Sequence, residues 1–309
     1  MSYKGGINVK RIALVGGAGA YHGGAFASLY NGFSEEKYKE MGWGGRGIKR
    51  RVEGATIVKI WDEDKKIAQA LAEACDIPEV CDTLEEAAEG VDGVIITDDM
   101  TMEHQRRAPF FIEKGIPTFI DKPLSPDPAE ARKLIELALA HNTLLFSSSA
   151  LRYSIEVEEL KKELDSIGPI ALATTICGGE LVYYGIHALE LAYTVMGPGV
   201  ESLISVGNDE QADIVRLRYG DGRQLVLMVG RRGVTASGFQ LTVHGSKRSA
   251  SIQVRDSGYF YWNLQCQFIK MIETGELPVP LEETLEIITV LAEAKRVRGE
   301  EVPIRVSLG

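Results

Sequence analysis

In the first half of the chain apolar residues come in short continuous runs. Residues 12–15, 55–61, 93–97, 116–120 and 143–146 are such runs, set off by glycine, proline or charged residues. This is the texture of strands buried on both faces of a parallel sheet. Between them, residues 25–30, 65–75, 84–89, 102–114 and 128–140 carry helical patterns. Strand alternating with helix predicts a parallel sheet covered on both sides. Beyond residue 147 the texture changes. A helix over 155–164 leads to a strand over 170–177 and a helix over 187–196, followed by β-like runs at 202–206, 214–219, 224–230, 239–244 and 249–254. Turn signals such as Asp221-Gly222 separate several of these runs, as in an antiparallel meander. Helices over 259–274 and 282–298 and a strand over 302–306 close the chain. The expectation is an α/β chain of two domains. Residues 1–148 form the parallel-sheet domain, and 149–309 form an α+β domain with a large, mostly antiparallel sheet.

The first run ends in glycines, reading IALVGGAGAYHGG over 12–24. A buried strand that turns abruptly through glycines into a helix places the first helical amides where they hold a phosphate. Glycine supplies the backbone angles of the turn and lets the main chain approach a pyrophosphate. Gly16, Gly17, Gly19, Ala20, Tyr21 and His22 are the candidate contacts. The spacing is not a clean GxGxxG, which leaves the register of the phosphate contacts open. The strand at 55–61 ends in Asp62, placed to accept from an adenosine ribose and to repel a 2′-phosphate, favouring NAD. Lys65 and Lys66 follow closely and keep NADP open. The 31–53 segment accounts for the long spacing between the glycines and Asp62, and reads either as a lid or substrate-contacting insertion or as a surface excursion. Ligands bind beyond the C-terminal ends of parallel strands, so residues 16–23, Asp62, 97–100 (Thr97 first) and 121–123 (Asp121 first) are expected along one edge.

Composition narrows the setting. A formal charge of −10 argues against nonspecific nucleic-acid binding, and no segment is apolar for long enough to span a bilayer. The four cysteines show no metal-binding spacing and read as reduced thiols, and the N-terminal residues lack a signal-peptide core. A cytoplasmic protein without a metal is expected.

The order of motifs then becomes recognisable. IALVGGAGAYHGG, Asp62, VIITDDMTMEHQRRA, IPTFIDKPLSPDPAEA, GIHALELAYTVMG and ETLEIITVLAEAKRVRGEEVPI together resemble the Gfo/Idh/MocA oxidoreductases. The resemblance implies an N-terminal Rossmann domain, a C-terminal sheet domain often used for dimerisation, a nicotinamide in the cleft between them, and a homodimer or homotetramer. It makes Lys122, within Asp121-Lys122-Pro123, the lysine near nicotinamide and substrate hydroxyl, suited to polarise a carbonyl or stabilise an alkoxide. It makes His187 the residue that exchanges the hydroxyl proton. Where many members carry aspartate four residues before that histidine, this chain has Tyr183, followed by Tyr184. A phenol can pass a proton or hold a substrate oxygen, but it lacks a carboxylate's charge. Glu190 stands where many members carry a second aspartate. The resemblance also places Arg152 and Tyr153 beside the substrate, with an interdomain ion pair an equal reading for Arg152, and assigns His104 to support of the cofactor loop. The expected activity is NAD-dependent oxidation of a secondary hydroxyl, or reduction of its ketone, in a sugar, polyol or related small molecule. A nicotinamide-binding sensor without turnover and NAD-assisted glycoside cleavage are the alternatives.

Overall fold

The computed structural model describes residues 9–98, 102–207, 211–233, 238–300 and 303–308. They separate into two compact units. The first holds the described residues up to Asp121 together with Leu134–Phe146 and Tyr261–Pro278. The second holds Lys122–Lys133, Ser147–Phe260 and the described residues from Val279 onward.

In the first unit, β1 (Lys10–Val15), α1 (Tyr21–Asn31), α2 (Glu35–Glu40), β2 (Ala55–Trp61), α3 (Lys65–Ala74), β3 (Glu79–Val80), α4 (Leu84–Ala88), β4 (Gly93–Ile96), α5 (His104–Glu113), β5 (Thr118–Ile120), α6 (Pro128–Ala140, whose first residues belong to the second unit) and β6 (Leu145–Phe146) follow in order. The six strands form one parallel sheet, ordered β3-β2-β1-β4-β5-β6. Ile12, Leu14, Ile57, Ile60, Ile95 and Phe119 are fully buried, as two covered faces demand. Helix starts follow local chemistry: the Asp64 carboxylate accepts from the Lys66 and Ile67 amides at α3, and the Thr83 hydroxyl accepts from the Glu86 amide at α4.

The 31–53 segment contains a helix that its polar sequence hides. The Ser34 hydroxyl caps α2, and the helix buries Tyr38, whose hydroxyl donates 2.8 Å to the Gly24 carbonyl. Trp43 is also buried, and it lies so close to Gly24 that an added Cβ would stand 3.0 Å from the indole. The late glycines of the 12–24 stretch therefore lie inside α1, where Gly24 admits the Trp43 ring and Gly23 lets the helix close on the Gly17 carbonyl. This part of the segment is neither a lid nor a solvated excursion; it is core.

The second unit contains α7 (Ile155–Lys162), α8 (Leu164–Ile167), β7 (Ile170–Gly178), α9 (Gly185–Met196), β8 (Val200–Gly207), β9 (Ala212–Tyr219), β10 (Gln224–Gly230), β11 (Phe239–Gly245), β12 (Ser249–Val254), α11 (Leu281–Arg296) and β13 (Ile304–Arg305). The intervening α10 (Ser257–Thr274) starts in this unit and ends in the first. The sheet runs β12-β11-β7-β10-β9-β8-β13. It is not a simple meander, because β7 and β10 pair in parallel while the other pairings are antiparallel. One face, with Ala173, Cys177, Leu217, Leu227 and Val243, is buried, and α9 and α11 pack on the sheet. Leu172 and Ile214 are exposed among residues of the opposite face. The expected last strand is short, and Val302 lies outside the described residues.

Candidate functional site

In the first unit the glycine turn is defined by what it excludes. Gly16 and Gly17 have φ of 67° and 60°, in the left-handed region. A Cβ on Gly17 would stand 2.1 Å from the Thr97 carbonyl oxygen, and one on Gly16 would stand 2.1 Å from the Asp98 carboxylate. The Thr97 hydroxyl donates 2.7 Å to the Gly16 carbonyl and closes the turn. Helix α1 then starts at Tyr21, and its N-cap is Ala20, which has no side-chain acceptor for the first amides. A bare cradle at a helix N-terminus fits the pyrophosphate of a dinucleotide.

Strand ends carry the neighbouring groups. The Gly16 amide donates to the Trp61 carbonyl, the Thr97 amide to Val15, and the Asp121 amide to Ile96. The residues that follow β1, β2, β4 and β5 are thereby lined along one edge. Asp99 and Met100, expected on the same edge, lie outside the described residues. Asp62 accepts 2.8 Å from the Ala18 amide, so it braces the glycine turn. The Lys65 ammonium is paired with Asp82. Gly19 is exposed next to Ile67, and Tyr21 is the exposed first residue of α1.

The sequence reading missed a buried pair here. Arg107 donates to Asp98, reaches Glu63 at 3.0 Å, and lies 4.9 Å above the Trp61 ring. Burial pushes the Asp98 carboxyl above its ordinary value against the pull of Arg107. His22 is also buried: Nδ1 contacts Asp121, Nε2 lies 2.9 Å from the Tyr261 hydroxyl, and the ring stacks on Phe26. Tyr261 belongs to α10, far away in sequence, and nothing local marks it. His104 opens α5 and is fully buried.

In the second unit, Lys122 is buried at a cis Lys122–Pro123 step, with its Nζ 3.8 Å from the Tyr183 ring centroid and 3.5 Å from the Tyr183 carbonyl. Tyr184 stands 5.9 Å from the same Nζ and 6.1 Å, ring to ring, from His187. Gly179 makes room for Tyr184: its φ is 125°, and a Cβ there would meet the ring at 2.4 Å. His187 lies in the first turn of α9, with Nδ1 2.7 Å from the Ser149 hydroxyl. Lysine, two phenols and imidazole are thus one cluster.

Glu190 holds the wall behind it. Its carboxylate accepts from the Ser148 hydroxyl at 2.8 Å, the Ser149 amide at 3.0 Å, and Arg152. Arg152 also pairs with Glu283 at 2.5 Å. Burial opposes charge on the guanidinium, but Glu190 and Glu283 outweigh it and raise its pKa. Both partners belong to its own unit, so the guanidinium is committed to a buried triad and not to a substrate fork or an interdomain ion pair. At the adjacent Tyr153 phenol burial acts in the opposite direction and raises the pKa, against the pull of Arg152.

A family model described as "Oxidoreductase family, NAD-binding Rossmann fold" (GFO_IDH_MocA) matches residues 10–148. Over those residues, a little under half of the chain, the sequence matches the Gfo/Idh/MocA oxidoreductases. Inositol 2-dehydrogenase 4 of Saccharopolyspora erythraea is 33% identical over 122 residues, 38% of this chain and 35% of its own length. Myo-inositol 2-dehydrogenase of Thermotoga maritima is 25% identical over 234 residues, 59% of this chain and 70% of its own. The chain thus spans about a third of the first relative and about two thirds of the second. Among solved structures, myo-inositol dehydrogenase of Lactobacillus casei in complex with NAD(H) and myo-inositol superposes with a TM-score of 0.79 at 15% identity, covering 97% of this chain and 98% of that one. At that identity the likeness establishes the fold. The glycine cradle and Asp62 fall within the matched NAD-binding region, as does Lys122.

Proposed function

We propose that this protein is an NAD-dependent dehydrogenase acting on a secondary hydroxyl of a cyclic polyol or sugar. The observation that carries the reading is the convergence of Lys122, Tyr183, Tyr184 and His187 in a family that binds NAD. Bound NAD supplies the hydride acceptor. The chain supplies the rest. Asp62 with neighbouring Glu63 supports NAD over NADP, since both carboxylates repel a 2′-phosphate. Lys122 orients the substrate oxygen and stabilises its developing negative charge. With Nδ1 of His187 engaged by Ser149, Nε2 takes the hydroxyl proton. Tyr183 supplies a π face and a phenol where a carboxylate is usual.

The named relatives act on inositol, which supports a polyol substrate class. The exposed Leu172 and Ile214 on the sheet support a homodimer or homotetramer. Four free cysteines support a cytoplasmic setting, and no helix among the described residues is long and apolar enough to cross a membrane.

The test is nicotinamide absorbance with purified protein, NAD and a panel of inositols and sugars, alongside Lys122→Ala. Reduction of NAD with at least one polyol is expected, and Lys122→Ala should lower kcat by roughly 10²–10⁴-fold. No absorbance change across the panel, or full turnover by Lys122→Ala, refutes the assignment.

A further inference from the structure

We infer that the substrate carries an anionic oxyacid group, and that Arg232 is the residue that selects it. This rests on the dehydrogenase reading above and narrows its substrate class. Arg232 follows β10, which runs parallel to β7 with Gly230 opposite Gly178. Arg232 and the 179–184 segment therefore leave the same end of the sheet. There the guanidinium donates 2.5 Å to the Tyr184 hydroxyl and lies 5.2 Å from the ring centroid.

One tyrosine ring thus neighbours two cations, with Lys122 Nζ at 5.9 Å and the Arg232 guanidinium at 5.2 Å from its centroid. The ring itself is fixed by the close approach of Gly179. Arg232 is exposed, and among the described residues no carboxylate pairs with it. Other acids of this unit are paired, Glu190 and Glu283 with Arg152 and the fully buried Asp213 with Arg231 and Arg298, while Glu180, in the same segment as Tyr184, is exposed and makes no ion pair among the described residues. A planar guanidinium steered by a tyrosine yet open to solvent presents a fork that matches carboxylate or phosphate oxygens. Lys122 handles the reacting oxygen, and Arg232 waits at the hydroxyl end of the Tyr184 ring. A sugar or cyclitol bearing an acid on a carbon remote from the oxidised one satisfies both.

The test compares glucuronate and glucose 6-phosphate with glucose, using the full chain with NAD. Glucuronate or glucose 6-phosphate should show kcat/KM at least roughly tenfold above glucose, mainly through KM. The better of the two identifies the acid as carboxylate or phosphate. Arg232→Gln should collapse that ratio toward one, and Arg232→Lys should restore part of it, with unchanged thermal melts showing that the fold is intact. A ratio near one in the parent protein, or one that survives Arg232→Gln, overturns the inference. Calorimetric titration of the same three sugars into the NADH-loaded protein separates this from failure of the dehydrogenase reading. Acid-selective binding that Arg232→Gln abolishes upholds the anion site even without turnover, and equal or absent binding of all three refutes it.

Discussion

Replacing Arg152 by methionine tests how the second unit holds His187. Arg152 is 9% exposed and Glu190 3% exposed, and the pair is completed by Glu283 at 9%. Methionine keeps much of the side-chain volume but removes the cation that joins the two carboxylates. Glu190 would keep its bonds to the Ser148 hydroxyl and the Ser149 amide, while Glu283 would lose its ion-pair partner. Removing one partner of a buried pair costs about 3–5 kcal/mol, because an uncompensated charge is left behind. For a unit of this size, each kcal/mol lowers Tm by about 2–4 °C, so a fall of roughly 6–20 °C is expected. Lys161, exposed by surface area and close enough to feel Arg152, carries a pKa lowered by desolvation and by Arg152. Loss of Arg152 relieves that repulsion and gives Lys161 a route to partial compensation, which favours the lower part of the range.

The same variant should weaken catalysis through geometry. Arg152 fixes Glu190, Glu190 fixes the Ser149 backbone, and the Ser149 hydroxyl meets His187 Nδ1. A displacement of about 1 Å at His187 is worth roughly 100-fold in rate. Differential scanning calorimetry and polyol-dependent NAD reduction, run on Arg152→Met and on Arg152→Met/Glu283→Gln, read both effects. The double variant should recover part of the lost stability, since it removes one stranded charge. A Tm fall below about 2 °C in the single variant, or no recovery in the double, would show that the triad is not the support described.

Gly17→Ala places a Cβ 2.1 Å from the Thr97 carbonyl at a left-handed φ, so NADH affinity by fluorescence titration should weaken roughly tenfold or more; an unchanged Kd removes Gly17 from the cradle. Trp43→Ala should cost about 3–5 kcal/mol in urea unfolding, and a variant that alters only KM would restore the lid reading of the 31–53 segment. Burial raises the Cys75 thiol to about 11 and Cys177 to about 12, so at pH 8 both should resist a thiol reagent until the protein is unfolded. Rapid labelling of either in the native state contradicts the burial. The same shifts predict falling stability above pH 9, because the unfolded chain then releases thiol protons that the folded chain retains; a flat urea midpoint between pH 8 and 10 would count against them.

Local features of the chain were readable wherever period and composition agreed. The 128–140 helix and the 224–230 and 249–254 strands lie where the pattern puts them, and the glycine turn follows the first apolar run. Helix α2 was hidden because EEKYKE offers one apolar residue in six, and its stability comes from burying Tyr38 against α1. Pairings between distant residues left no mark. Arg152, Glu190 and Glu283 are joined only by folding, as are His22 and Tyr261. The parallel pairing of β7 with β10 was equally hidden, since strand patterns state which residues face inward but not which strand lies alongside. That pairing is what carries Arg232 to the end of the sheet occupied by Tyr184. A cation just after a strand is an ordinary surface residue until the neighbouring strand is known.

The substitution at 183 gains meaning from the same geometry. An aspartate beside Lys122 would cancel its charge, whereas a tyrosine face at 3.8 Å stabilises the ammonium through its quadrupole and leaves the net charge in place. The cluster of Lys122, Tyr183, Tyr184 and Arg232 therefore holds two formal positive charges and, among these four side chains, no carboxylate. Desolvating a neutral polyol against such a cluster gains little from the second charge, and desolvating an acid against it gains a great deal. If Tyr183→Asp shifts preference from acidic toward neutral sugars, residue 183 and Arg232 set one electrostatic choice between them. If it abolishes turnover without shifting preference, Tyr183 acts in proton transfer, and selection of the anion rests with Arg232 alone.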